Sequence, residues 1–427
     1  MMDFFTFTDP TFRLVAIGTV FLSVSAATVG CFAFLRKRAL VGDAIAHAIL
    51  PGLALAFLLS QSKNPLYLLL GALASGWLAM YLIEFLAQRS KLSGDTSIAL
   101  VLSVFFGFGI LLLTHIQHSS SASQAGLDEF LFGQAAGMRK EDLQVYAGVA
   151  LLLLLIIALL YKELMLFSFN PEFAATAGLP TQRLKYVLNA ITVLAIAIGI
   201  QSVGVVLMAA LLITPAAAAR AWTDRLGLMI LLSAFLGAFS GLVGSYISYS
   251  APNMPTGPWI VMSLSVLALL SLFLAPRRGL LARLRQQRRN RHKIADENLL
   301  KVFFQAGEKQ GRLQVILNRQ EIMQHRQFRP GDLQKTLRRL LRKDFLLPQG
   351  QAFKLSRQGL DEARRIVRLH RLWEMYLSQR LRLKADHIHP NAETIEHLIT
   401  PEIEEQLLQE LDFPTLDPHQ SPIPYTQ

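Results

Sequence analysis

The sequence predicts an all-α polytopic membrane domain with its N-terminus outside, followed by a basic cytoplasmic region that folds in water. Three observations carry this. Of 427 residues, 52% are hydrophobic and 17% charged, with a mean hydropathy of +0.37, a balance rare in soluble proteins. The average conceals a split at Arg277: apolar runs of spanning length lie before it, and short amphipathic segments rich in charge lie after it. Finally, the basic residues before the split fall mostly on alternate connections between the runs.

A hydrocarbon core of about 30 Å takes about 20 residues of helix, which gives about nine candidate spans. They lie at 12–35, 41–60, 66–87, 96–116, 143–161, 184–200, 202–220, 226–249 and 257–275, the sixth and seventh meeting near Gln201. Arg36, Lys37 and Arg38, then Arg89 and Lys91, Lys162, Arg183 and Lys185, and Arg220 and Arg225 all fall on one side if the N-terminus is outside. The opposite connections carry only Lys63, Arg139 and Lys140. An odd number of spans then leaves the tail in the cytoplasm. The first eleven residues lack the basic start and short apolar core of a cleaved leader, so the first run is expected to stay as a span.

The formal charge is +12, and the run Arg277, Arg278, Arg283, Arg285, Arg288, Arg289, Arg291, Lys293 contributes much of it. Directly after a span, such a run reads first as an anchor against anionic membrane lipid and second as a nucleic-acid contact. Cys31 is the single cysteine, which excludes an intrachain disulfide or a thiolate metal cluster. The segment 117–142, with His115 and His118 before it, is expected outside, either as a guide for cations or as an ordinary polar loop.

The soluble region divides into a basic linker over 277–295, helices over 296–306 and 312–324, a basic helix over Pro330–Lys343, a hairpin over Phe345–Leu355 and a long helix over 356–383. Two further helices are expected near 390–399 and 401–412. Helix, helix, basic helix, hairpin is the order of a winged helix-turn-helix, giving domains over 296–355 and 356–427 behind a membrane domain over 1–276. Arg329, Asp332 and Lys335 are its candidate DNA-contacting positions.

Asp43 and His47 stand four apart and share a helix face inside a span. An intramembrane aspartate costs about 2.5–3.5 kcal/mol on insertion scales, which a protein-lined route and a bound cation can offset. One carboxylate and one imidazole suit a first-row divalent metal; the alternative is an interfacial Asp beside a hydrogen-bonded His. Pro171 and Glu172 suit the first turn of a short helix, and Gly178-Leu179-Pro180 its end. That helix is a lever for a partner, or else a connecting loop. In the tail, His370 and Glu374 are four apart, as are Glu393 and His397, with His389 and Glu396 nearby. These form either a nitrogen/oxygen metal site or solvated helix faces.

Val41-Gly42-Asp43-Ala44-Ile45-Ala46-His47-Ala48-Ile49-Leu50-Pro51-Gly52, Leu131-Phe132-Gly133-Gln134-Ala135-Ala136-Gly137-Met138 and Phe169-Asn170-Pro171-Glu172-Phe173-Ala174-Ala175-Thr176-Ala177-Gly178-Leu179 resemble the permease subunits of zinc, manganese and iron ABC importers. The resemblance spans about 10–276. It implies a multi-pass permease in a bacterial inner membrane, with Asp43 and His47 on the metal and a separate ABC ATPase gripping Asn170, Pro171, Glu172, Ala175 and Gly178. It also implies a second permease subunit and an extracellular metal-binding protein. The chain has no Gly-x-x-x-x-Gly-Lys-Ser/Thr phosphate loop of its own.

Arg368-Leu369-His370-Arg371-Leu372-Trp373-Glu374 and His389-Pro390-Asn391-Ala392-Glu393-Thr394-Ile395-Glu396-His397 resemble the metal-dependent repressors of the diphtheria-toxin-repressor and manganese-regulator kind. This implies a helical dimerisation domain with metal on His370, Glu374, His389, Glu393, Glu396 and His397, and Glu393 leans the choice towards manganese. Two further ligand positions of that family fall on Asn298 and Lys301, and an ammonium cannot ligate. Read without these resemblances, a membrane-anchored transcription regulator or a stand-alone secondary transporter also fits.

Overall fold

Helix starts need partners for their free backbone donors, and this sequence supplies them. The computed structural model describes residues 9–36, 39–62, 64–118, 138–250, 254–276, 278–312, 314–380 and 401–425. Asp9 caps α1 (Pro10–Leu35) by accepting the Thr11 N–H at 2.8 Å, and Pro10 has no N–H to satisfy. That contact, with a second hydrogen bond from Tyr249, holds the Asp9 carboxyl below its usual range. Asn64 caps α4 (Pro65–Arg89) in the same way.

The chain forms two compact units, Met1–Arg283 and Leu284–Gln427. The first contains α1, α2 (Ala39–Ala48), α3 (Leu50–Ser60), α4, α5 (Gly94–His118), α6 (Lys140–Leu159), α7 (Tyr161–Phe169), α8 (Pro171–Thr176), α9 (Thr181–Val203), α10 (Val205–Trp222), α11 (Leu226–Ser250) and α12 (Thr256–Leu274). Among the described residues, eight stretches are long and apolar enough to cross a membrane, with α2 and α3 together making one of them. Where the sequence led us to expect a seventh of nine spans, the apolar helix Met208–Trp222 is shorter than those eight. The junction expected at Gln201 sits at Gly204, whose φ of +90° is open to glycine and strained for other residues.

The core of this unit is built on α1, which is buried along most of its length. Lipid tails give helices no hydrophobic reason to associate, so close backbone approach and buried hydroxyl bonds do the work. Ser233 on α11 donates to the Ala27 carbonyl at 3.1 Å, and the Thr19 and Ser245 hydroxyls meet at 3.0 Å. A Cβ on Gly237 would lie 2.9 Å from the Ser23 carbonyl, and one on Gly30 would lie 1.7 Å from the Leu212 carbonyl of α10.

The second unit departs from the expected boundaries. The basic linker and the helix after it belong to one element, α13 (Leu280–Lys309). The expected helix over 312–324 shrinks to α14 (Arg319–His325), preceded by β1 (Leu317–Asn318). A capping box sets this start: the Asn318 side chain accepts the Glu321 N–H at 2.9 Å while Glu321 accepts the Asn318 N–H at 2.7 Å. Then come α15 (Pro330–Arg342), β2 (Leu346–Gln349), β3 (Ala352–Leu355), α16 (Arg357–Arg380) and α17 (Pro401–Glu410). The strands form an antiparallel sheet in the order β1-β3-β2, with Leu317 opposite Phe353 and Leu346 opposite Leu355. Leu299, Phe303, Ile322, Leu337 and Leu340 join these strands in one core. Arg371 of α16 ties the end of the chain down, reaching Glu308 at 2.7 Å, Asp417 at 3.4 Å and the Pro422 carbonyl.

Candidate functional site

Pro51 defines the first candidate site by what it lacks. Without an N–H it cannot bond the carbonyl four residues back, which is that of His47, and the spanning stretch breaks between α2 and α3 at Ile49. Ser75 of α4 repairs part of the ladder by donating to the Ala48 carbonyl at 2.6 Å. Asp43 and His47 lie one turn apart just before this break, with Asp43 Oδ1 3.5 Å from His47 Nε2. That is too long for a good hydrogen bond. The Asp43 side chain is 44% exposed and that of His47 17%, so the couple opens to a surface of the unit. His47 Nδ1 is buried without a hydrogen-bond partner, and the His47 and Phe106 rings pack edge to face with centroids 4.8 Å apart.

The second candidate is α8. Asn170 Oδ1 accepts the Phe173 N–H at 3.0 Å, Pro171 occupies the first position and Glu172 the first turn. At the other end Gly178 takes φ +84°, the Leu179 N–H bonds the Ala174 carbonyl at 3.0 Å and the Gly178 N–H bonds that of Ala175 at 3.0 Å. This is a Schellman ending. Ala174 is buried, while Phe173 and Ala175 are exposed. A short helix closed at both ends thus presents its outer side.

In the second unit, His370 Nε2 lies 3.1 Å from Glu374 Oε1, with both side chains buried on α16. His389, Glu393, Glu396 and His397 lie outside the described residues, as does most of the segment 117–142. Among the described residues no three or more His, Cys, Asp or Glu side chains group to hold a metal. Asn298 is buried with its Oδ1 unpartnered, and Lys301 is buried. Arg329, Asp332 and Lys335 are exposed at the start of α15, whose other face buries Leu333, Leu337 and Leu340. At its far end Arg339 and Lys343 both grip Asp296, at 2.8 Å each.

Sequence reasoning missed one cluster. Glu84 of α4 pairs with Lys185 of α9 at 2.9 Å and accepts a hydrogen bond from Asn189 at 2.9 Å. The three border a cavity of about 370 Å³. A carboxylate inside the apolar run 66–87 was the signal, and Lys185 was counted only as a marker of orientation.

A helical membrane unit with a broken span, followed by a separate small α/β unit, defines a polytopic permease with an appended regulator-like domain. Residues 8–275 match the ABC 3 transport family, and the chain belongs to it. Residues 356–425 match the iron dependent repressor, metal binding and dimerisation domain. The manganese transport system membrane protein MntC of Bacillus subtilis is 37% identical over 375 residues, covering 88% of this chain and 86% of that protein. The zinc transport system membrane protein TroC of Treponema pallidum is 42% identical over 283 residues, 66% of this chain and 95% of that one. Among solved structures, PsaBC from Streptococcus pneumoniae in complex with Fab aligns at a TM-score of 0.59 and 33% identity, covering 65% of this chain and 97% of that chain.

Proposed function

We infer that this chain is the permease subunit of an ATP-driven importer of a divalent transition metal, with a fused metal-responsive regulatory domain. The couple of Asp43 and His47 beside a break in a span carries the reading. With bonds of about 2.1 Å to each donor, their separation corresponds to an angle of about 110° at a bridging ion, close to tetrahedral. Nitrogen and oxygen donors without a thiolate suit manganese, iron or zinc. Relatives named for manganese and for zinc transport support a metal cargo. An aspartate so exposed within a span needs cover from lipid, and a second permease subunit, identical or related, would supply it.

ATP is hydrolysed on a separate ABC ATPase, since this chain lacks a phosphate loop. Its contact is the outer side of α8, through Asn170, Pro171, Glu172, Ala175 and Gly178. An extracellular binding protein delivers the ion. With the shorter α10 as a ninth crossing, an N-terminus outside leaves the tail in the cytoplasm, where the basic run from Arg277 meets anionic lipid.

In the tail, His370 and Glu374 fit two places of a nitrogen/oxygen effector site for the same class of metal, with His389, Glu393, Glu396 and His397 as the others. Read as a winged helix-turn-helix, this unit would turn the exposed Arg329, Asp332 and Lys335 at the start of α15 towards DNA. Purified chain with its ATPase in vesicles tests the transport reading. Radiolabelled Mn²⁺ or Zn²⁺ should accumulate only with ATP, and Asp43→Ala should abolish accumulation while the protein still inserts. ATP-independent uptake would point to a stand-alone transporter instead.

A further inference from the structure

The buried cluster of Glu84, Lys185 and Asn189 sits between the element assigned to the ATPase and the element assigned to the metal. Lys185 and Asn189 occupy one face of α9 one and two turns from its start, and α9 begins five residues after α8 ends. Both Glu84 oxygens are occupied: Oε2 faces Lys185 Nζ at 2.9 Å, and Oε1 accepts from Asn189 Nδ2 at 2.9 Å. The Glu84 and Lys185 side chains are 13% and 12% exposed. Neutralised by Lys185 and held at both oxygens, the carboxylate is a fixed joint between two helices rather than a free anionic site.

Eight residues from this joint, about 12 Å along each helix, α4 and α9 still touch. A Cβ on Gly76 would lie 2.7 Å from Val193, and also 3.2 Å from Ile49 at the break. On the neighbouring turns of α4, Ser75 holds the Ala48 carbonyl, and a Cβ on Gly71 would lie 2.3 Å from the Gly52 carbonyl. Helix α4 therefore grips the backbone of the break that carries His47, and its other end is bolted to the start of α9.

We propose that Glu84, Lys185 and Asn189 form a coupling joint that makes α4 and α9 move as one body, so that displacement of α8 reaches the break beside Asp43 and His47. This rests on the ATP-driven permease reading. The three are positioning residues: the joint binds no metal and no nucleotide. A fixed joint is useful here because packed interfaces shift between discrete arrangements rather than deform continuously.

The test measures ATP hydrolysis and radiolabelled Mn²⁺ uptake in the same vesicles, for the full chain with its ATPase. The double variant Glu84→Gln/Lys185→Met removes both charges and leaves none unpaired. It should copurify with the ATPase and hydrolyse ATP, while ions moved per ATP fall about tenfold, within the usual span of coupling energies. The exchange Glu84→Lys/Lys185→Glu should recover most of that ratio, and Lys185→Arg should keep it. An unchanged ratio in the neutral pair, whatever its yield, overturns the joint alone. So does an exchange that recovers protein but not coupling. Wild-type uptake that ignores ATP overturns the permease reading and the joint with it.

Discussion

Asp43 and His47 show how much a residue pair can disclose and where its disclosure ends. Their spacing was legible, because four residues return to the same helix face whatever the fold. The half-exposure of Asp43 and the buried Nδ1 of His47 were not, since they depend on Phe106 and on which helices pack around α2. If the couple ligates the cargo, Asp43→Asn should weaken it differently from His47→Ala. The amide keeps an oxygen and loses the charge; the second change removes a donor outright. We expect Mn²⁺ uptake at limiting concentration to fall about 10-fold for the first and at least about 100-fold for the second, scaled from the effect of disturbing metal-site partners. Initial-rate uptake against concentration reads both, and equal rates in both variants would remove the pair from the route. Glu84 was harder to read, because one carboxylate in an apolar run announces a cost without naming its partner. Lys185 and Asn189 are about a hundred positions away.

At the scale of elements, local chemistry was legible and tertiary compromise was not. Pro171 and Gly178 marked both ends of α8 from sequence alone. The start of α14 was written in Asn318 and Glu321 but missed, because the apolar residues before it suggested a longer helix. Gly178 tests the lever directly. Nothing lies within 4 Å of a Cβ placed there, so the only obstacle to a side chain is φ +84°. Gly178→Val should cost about 1–2 kcal/mol of local order and weaken ATPase copurification more than Gly178→Asn, which keeps the left-handed turn and adds only its side chain to the contact. If both variants bind the ATPase alike, the ending of α8 has no part in docking. Helix packing inside the unit gives a second, independent test. Gly30→Ala drives a methyl into the Leu212 backbone, whereas Gly42→Ala meets only the ends of side chains, Leu212 at 2.8 Å and Ile213 at 3.7 Å. Thermal unfolding in detergent should show Gly30→Ala the less stable by about 1–3 kcal/mol, with Gly42→Ala close to the parent.

Over the whole molecule, the change of composition near Arg277 announced two bodies, and the chain divides after Arg283. What composition could not reveal is that the basic stretch is helical and continuous with α13, since a run of arginines has good helix propensity but no apolar face to give it a period. Helix formation puts Arg285, Arg288, Arg289 and His292 on one face, beside Arg339 and Lys343 at the end of α15, around a cleft of about 800 Å³. Asp296 neutralises part of this charge by holding Arg339 and Lys343, while Arg285, Arg288 and Arg289 remain exposed. If the unit binds DNA through the start of α15, this face adds grip on the phosphates that carries no sequence information. The fragment 284–427 should then bind duplex DNA with an affinity that falls steeply with salt. Replacing Arg285, Arg288 and Arg289 by Gln should flatten the logarithmic salt slope by about 0.9 for each phosphate no longer neutralised, with base preference unchanged. Lys335→Ala should instead alter preference among sites if that residue reads a base. Mn²⁺ should strengthen binding in the parent and not in His370→Ala. A slope unaffected by the triple change, alongside retained binding to vesicles of anionic lipid, would assign the arginine face to the membrane surface and leave DNA recognition to α15 alone.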